Sequence, residues 1–110
     1  MTNRNYVEDV FELTRLIPQG RVSTYGAIAD ALALGSARMV GWALRQCLSM
    51  DNVPAHRVVN RKGELSGRLN FETPTRMQEL LESEGVIVKN HKVQDFDELF
   101  WHPASIIEED

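Results

Sequence analysis

Ser23-Thr24-Tyr25-Gly26-Ala27-Ile28-Ala29-Asp30-Ala31-Leu32-Ala33-Leu34-Gly35-Ser36-Ala37-Arg38-Met39-Val40-Gly41-Trp42-Ala43-Leu44-Arg45-Gln46-Cys47 is the stretch on which the fold turns. Ser23 and Thr24 offer N-caps for a short helix whose apolar side is Ile28, Ala29 and Leu32. Gly35 is expected to break that helix, and Ser36 can cap the next, which runs from about Ala37 to Cys47. Val40, Ala43, Leu44 and Cys47 recur in it at spacings of three and four, the mark of one buried stripe. Two short helices joined by a brief Gly-containing turn read as a helix-turn-helix, in which the second helix meets DNA. Its exposed side carries Arg38 and Arg45. Small helical bundles contain such pairs too, so the motif by itself leaves the partner open.

Upstream, Tyr6, Val7, Val10, Phe11, Thr14 and Ile17 share one helical face, and Pro18-Gln19-Gly20 stops that helix. Downstream, residues 48–72 read as loops with short strands. His56-Arg57-Val58-Val59 is a candidate strand, and Gly63 and Gly67 mark turns. Thr73-Pro74 opens a further helix, with Thr as cap and Pro at the first helical position. Met77, Leu80, Leu81 and Glu84 lie on one face of it, and Gly85 ends it. Val86, Ile87 and Val88 form a candidate strand, and Phe96, Leu99, Phe100 and Trp101 are expected to fold back onto the core.

The 110 residues suit one compact domain, residues 1–110, with a core over about 5–103 and an acidic tail over 104–110. Apolar runs are only a few residues long, too short to span a membrane. Met1-Thr2-Asn3-Arg4-Asn5 lacks the apolar stretch of a signal peptide. Cys47 is the sole cysteine, so no internal disulfide can form, which fits a reducing cytoplasm. The net charge of −4 counts against nucleic-acid binding only as an average. Residues 38–76 hold seven Lys or Arg against three acids, while residues 77–110 hold two against nine. The middle is basic and the end, Glu108-Glu109-Asp110, is acidic, expected to be solvated and frayed.

Most enzyme signatures are missing: there is no glycine-rich phosphate loop and no nucleophile elbow. Cys47, His56, His91 and His102 match no common metal-site spacing, so neither a metal nor a cofactor is expected. His91 and His102 read as surface or packing residues. The stretch with chemical content is Val53-Pro54-Ala55-His56-Arg57-Val58-Val59. It resembles the Pro-Cys-His-Arg-Val-Val active-site motif of the O6-alkylguanine-DNA alkyltransferases. Ile17-Pro18-Gln19-Gly20-Arg21-Val22 and Ser23-Thr24-Tyr25-Gly26-Ala27-Ile28-Ala29 resemble that family's entry to its helix-turn-helix. Ala37-Arg38-Met39-Val40-Gly41-Trp42-Ala43-Leu44 resembles its recognition helix, and Leu80-Leu81-Glu82-Ser83-Glu84-Gly85 its closing helix. The blocks keep the family's order and cover roughly residues 5–88.

The resemblance implies a mainly α fold with short β-strands, winged helix-turn-helix-like, similar to the C-terminal DNA-binding domain of those enzymes. It also implies a mechanism. A lesion on a base edge is out of reach in a stacked duplex, so the nucleotide is flipped into a pocket. Arg38 matches the arginine that enters the gap, where a guanidinium can both stack and hydrogen-bond the orphaned base. Tyr25 matches the tyrosine that crowds the phosphate of the flipped nucleotide. Ser36, Ala37 and Arg45 complete the implied DNA-binding set. His56 and Glu84 match two members of the Cys–His–Glu chain that makes the reactive thiolate. The third position, between Pro54 and His56, is Ala55, whose methyl group cannot accept an alkyl group. That combination resembles the alkyltransferase-like proteins, which bind O6-alkylguanine in duplex DNA without removing the alkyl group and pass it to nucleotide excision repair proteins. Many of them carry Trp at this position, so Ala55 implies a roomier pocket. Arg68 aligns, past Gly67, with a pocket tyrosine of the enzymes. An arginine there resembles the alkyltransferase-like group. The implied lesion pocket is therefore Tyr25, Val53, Pro54, Ala55, His56, Arg57, Val58, Arg68 and Glu84.

The residues themselves leave other readings. Cys47 falls where the enzymes carry a hinge asparagine; it reads as a buried small hydrophobe, but it is also the one thiol a transferase could use. His56 and Glu84 could activate a water in a hydrolase. A plain helix-turn-helix regulator with a relic pocket is the third class. Arg57 is expected to brace the pocket through backbone carbonyls, and Trp42 to pack inward rather than contact DNA. The chain is expected to act as a monomer in the cytoplasm, associated with the nucleoid when bound to DNA.

Overall fold

The computed structural model describes residues 6–47 and 52–105. The N-terminal pentapeptide, residues 48–51 of the loop and the Glu108-Glu109-Asp110 tail lie outside the described residues. Helix α1, Tyr6–Arg15, buries Val7, Val10, Phe11 and Thr14 on the predicted face. The Thr14 hydroxyl donates to the Val10 carbonyl at 2.7 Å, satisfying a polar group that is fully buried. The chain turns at Gly20, with φ of 85°, and enters β1, Ser23–Thr24.

Helix α2, Tyr25–Ala31, starts at Thr24, whose hydroxyl accepts from the Ala27 amide at 3.0 Å. Of the two candidate caps, Thr24 therefore serves and Ser23 lies in the strand. The break after α2 is not made by Gly35. Ala33 takes the left-handed conformation, φ 57°, and Leu34 donates back to the Ala29 carbonyl at 2.9 Å. This is a Schellman-type stop with Ala where Gly is usual, at a cost of roughly 1–2 kcal/mol. Leu34 packs on the core as the turn closes, which offsets that strain. Helix α3, Ala37–Arg45, buries Val40, Ala43 and Leu44, and Cys47 just beyond it is also buried. Ser36 occupies the cap position but makes no side-chain capping bond. The pair α2 and α3, packed on α1, is the helix-turn-helix.

A one-turn 3-10 helix, Ala55–Arg57, precedes β2, Val58–Val59. The expected strand over 56–59 is thus half turn and half strand. β2 pairs parallel with β1, Ser23 opposite Val58 and Thr24 opposite Val59. The ladder stands at the seam of two apolar clusters. Val10, Phe11, Ile28, Val40, Leu44 and Val58 belong to the first; Val22, Val59, Leu65, Met77, Leu81 and Val93 belong to the second. The residues on which functional expectations converge are therefore carried on backbone fixed from both sides.

Helix α4, Arg76–Ser83, begins later than Thr73-Pro74 implies. Thr73 instead accepts from the Arg76 amide in a turn, at 3.2 Å, and Thr75 takes the cap position. Met77 and Leu81 face the second cluster, and Gly85, φ 91°, ends the helix with Val86 donating to Leu81 at 3.1 Å. Strands β3, Val88–Lys89, and β4, Lys92–Val93, form a hairpin. The first thus starts two residues after Val86. Helix α5, Phe96–Leu99, leads the chain back along β1: the Val22 amide donates to the Leu99 carbonyl at 3.1 Å, and the Val22 carbonyl accepts from the Trp101 amide at 2.8 Å. Arg21 clamps the same segment through the Leu99 and Phe100 carbonyls. Trp101 is buried, and Phe96 and Leu99 are partly so. The result is mainly helical with small strands. Among the described residues no helix is long and apolar enough to cross a membrane.

Candidate functional site

The 3-10 turn at Ala55–Arg57 sets two of its side chains, His56 and Arg57, against one carboxylate, Glu84, and leaves Ala55 beside them. Ala55 is 8% exposed and His56 9% exposed. Helix α4 packs against this turn, and its C-cap residue is Glu84. A carboxylate at a helix C-terminus is opposed by the helix dipole and needs compensation. It receives it: His56 Nε2 lies 2.8 Å from Glu84 Oε2, and Arg57 donates to the two carboxylate oxygens at 2.7–3.3 Å. The Gly20 amide approaches Oε1 at 3.4 Å. Arg57 also donates to the Ile17 carbonyl at 2.8 Å, so it braces the turn through a carbonyl, as expected, and through Glu84 as well.

Burial holds the His56 imidazole below its ordinary value, against the upward pull of Glu84. Burial alone would raise the Glu84 carboxyl, but hydrogen bonds from Arg57 and His56 outweigh it and hold it below the usual carboxylate range. The pair is therefore a neutral imidazole against an ionised carboxylate. With Nε2–H given to Glu84, Nδ1 is left as an acceptor. That is the protonation state of a histidine able to take a proton from an acid.

Ala55 forms part of the wall of two cavities. One, of about 440 Å³, is lined by Arg15, Cys47, Asn52, Val53, Pro54, Ala55, His56, Arg57, Phe71, Glu72, Arg76 and Leu80. The other is a narrow cleft between Tyr25, Gly41, Leu44 and Arg45 on one side and Ala55, Gly67, Asn70 and Phe71 on the other. Tyr25, Ala37, Arg38, Gly41, Trp42 and Arg45 line a shallow groove that continues the cleft along α3. Tyr25 thus joins cleft to groove, and Ala55 and Phe71 join cleft to cavity.

Of the predicted pocket residues, Val53, Pro54, Ala55, His56 and Arg57 line the large cavity, and Tyr25 stands across Ala55 from it. Glu84 lies behind His56 and Arg57. Val58 is fully buried and lines neither the large cavity nor the cleft. Arg68 lines neither of them: its guanidinium turns back to the Leu65 carbonyl at 3.2 Å. Arg38 and Arg45 lie on the exposed side of α3 and, among the described residues, form no ion pair or hydrogen bond through their side chains. Trp42 does not pack inward but is 47% exposed. Phe71, Asn70 and Gly67 were not singled out as wall residues. Phe71 is an aromatic in a polar loop, which is the signal that marks it. The Cys47 thiol is 1% exposed, donates to the Leu44 carbonyl at 3.1 Å, and is held above its ordinary value by burial. Among the described residues no three His, Cys, Asp or Glu side chains group to hold a metal ion.

Residues 5–86 match the family described as 6-O-methylguanine DNA methyltransferase, DNA binding domain. The chain is similar to Alkyltransferase-like protein 1 of Schizosaccharomyces pombe, at 35% identity over 99 residues, covering 86% of this chain and 92% of that protein. It is similar to the DNA base-flipping protein of Escherichia coli, at 33% identity, covering 89% of this chain and 75% of that protein. Neither of these two is named as an enzyme. In fold it matches the crystal structure of S. pombe Atl1 in complex with damaged DNA containing O6-carboxymethylguanine, with a TM-score of 0.80 at 32% identity, over 92% of this chain and 98% of that one.

Proposed function

Since this chain belongs to the alkyltransferase-like proteins of the 6-O-methylguanine DNA methyltransferase DNA-binding family, we propose that it binds O6-alkylguanine in duplex DNA by nucleotide flipping and leaves the alkyl group in place. The observation that carries this reading is Ala55. It stands where the enzymes' cysteine is expected, beside a His56–Glu84 pair in the state that would serve a thiol. An sp3 methyl has no lone pair to attack an alkyl carbon. Cys47 does not replace it, because a buried thiol with a raised pKa supplies little thiolate.

Arg38 enters the gap in the stack, and Arg45 meets phosphate; both guanidinium groups are uncommitted among the described residues, unlike Arg15, Arg21, Arg57, Arg68 and Arg76. Tyr25 crowds the phosphate of the extruded nucleotide, whose base is received beside Ala55 where cleft and cavity meet. The cleft holds only about 20 Å³, roughly the room of one water, so base entry separates Tyr25 from Phe71. The larger cavity takes the alkyl group. A lesion that is held but not repaired needs an excising activity, and nucleotide excision repair is the assigned recipient. The protein is assigned to the cytoplasm, as a monomer, at the nucleoid when bound.

The test is mass analysis of both partners after incubation of the protein with an O6-methylguanine duplex. Unchanged protein mass and intact O6-methylguanine in the digested DNA are expected. Methylated protein would instead support transfer to Cys47, and guanine in place of the lesion would support hydrolysis through His56 and Glu84.

A further inference from the structure

Trp42 is the one large aromatic on α3, and the helix does not use it as core. The helix sequence Ala37–Arg45 contains no acid. Arg38, Trp42 and Arg45 follow one another at spacings of four and three, so they form a single exposed stripe about 10 Å long. All three line the shallow groove with Tyr25, Ala37 and Gly41. Exposure usually lets a side chain wander, but Trp42 is propped. The Tyr6 ring lies 6.4 Å from it, tilted by 37°, and Tyr6 is itself tied to α3 by its hydroxyl donating to the Met39 carbonyl at 3.2 Å. Among the described residues the indole N–H has no hydrogen-bond partner. A fixed, half-exposed indole with a free donor, flanked by two free guanidinium groups, is built for a polyanion with an apolar surface between its charges.

We propose that Trp42 is a DNA-contacting residue of α3: its ring packs on a deoxyribose of the strand that α3 meets, and its Nε1–H donates to the adjoining phosphate. The inference rests on the DNA-binding reading above but not on lesion recognition. Sugar and phosphate are the same whatever the base, so the contact strengthens binding to damaged and undamaged duplex alike. It differs in this from Arg38, whose assigned role exists only when a nucleotide has left the stack. Trp42 also provides its own reporter, because the only other tryptophan, Trp101, is 7% exposed in the core.

The test combines labelled-duplex titration with intrinsic fluorescence, using matched duplexes with and without one O6-methylguanine. Trp42→Ala is expected to weaken binding to both duplexes by a similar factor, about tenfold, the scale of one hydrogen bond to a charged group. Trp42→Phe keeps the ring and loses the donor, so its loss is expected to be smaller. In the unsubstituted protein, saturating duplex of either kind is expected to quench or blue-shift the emission, and in Trp42→Phe, which retains only Trp101, that change is expected to vanish. Binding of both duplexes within twofold of the parent, or emission of Trp42 unmoved at saturation, would overturn the proposal and leave the stripe free for a protein partner. Weakening confined to the lesion duplex would overturn it too, because Trp42 would then belong to the flipping machinery. If the parent protein itself fails to distinguish the duplexes, lesion recognition falls while the Trp42 contact is still decided by the undamaged duplex.

Discussion

The hydroxyl of Tyr25 lies over the backbone of Gly67 so closely that a Cβ on Gly67 would come within 2.8 Å of it. Gly67 has φ of −94° and needs no glycine for its backbone; a Cβ there could be admitted only if the Tyr25 hydroxyl moved. The turn that carries Gly67, Asn70 and Phe71 is thereby seated against α2 and closes the cleft. Gly67→Ala is expected to destabilise the fold by about 1–3 kcal/mol through overpacking and to weaken lesion binding several-fold by displacing Tyr25. Tyr25→Phe removes the clashing oxygen, so the double substitution should recover most of the lost stability in urea unfolding. Additive losses would mean the two residues do not meet as described.

Arg38 and Arg45 share an exposed helix face but are assigned different tasks. Arg38→Ala is expected to reduce affinity for the lesion duplex at least tenfold and to abolish the fluorescence of a 2-aminopurine reporter of flipping. Arg45→Ala should weaken both duplexes alike and flatten the dependence of affinity on salt, since one phosphate contact fewer releases less counterion. Indistinguishable behaviour of the two variants would reduce Arg38 to a phosphate contact.

The His56–Glu84–Arg57 group predicts how stability varies with pH. Both His56 and Glu84 titrate below their ordinary values of 6.5 and 4.5 in the folded chain. A depressed value means that the unfolded chain binds the proton first. Stability is therefore full above pH 6.5, declines as pH falls through the folded value of His56, and declines again below pH 4.5 through that of Glu84. Glu84→Gln leaves Arg57 without its carboxylate and should cost about 3 kcal/mol near neutrality, while removing the acidic limb of the profile. Urea midpoints measured across this range check both points; a midpoint independent of pH would contradict the assigned charges.

The helix-turn-helix was legible because its signals are local and agree. Thr24 caps by its own hydroxyl, and the Val40, Ala43, Leu44, Cys47 stripe needs only helical periodicity to point inward. The stop of α2 was not legible, because Ala33 adopts a conformation that its residue type disfavours and that Leu34 packing imposes from outside. The start of α4 shifted for a like reason: Thr73-Pro74 is a good local helix opening, but the chain spends it on a turn. Trp42 was misjudged because periodicity predicts which face is buried, not how far a ring at its margin is covered. Ala55, His56 and Glu84 were found through their motif. The cavities were not, since Phe71, Cys47, Arg15 and Arg76 come together only through tertiary packing.

The most direct measurement is a competition titration. A labelled duplex bearing one O6-methylguanine is bound to the protein and displaced by unlabelled duplexes of the same sequence, with and without the lesion, at fixed salt. Lesion recognition predicts displacement by the lesion duplex at concentrations at which the undamaged duplex displaces nothing. Equal displacement by the two would contradict it and leave a general DNA-binding protein whose Ala55 pocket has no ligand.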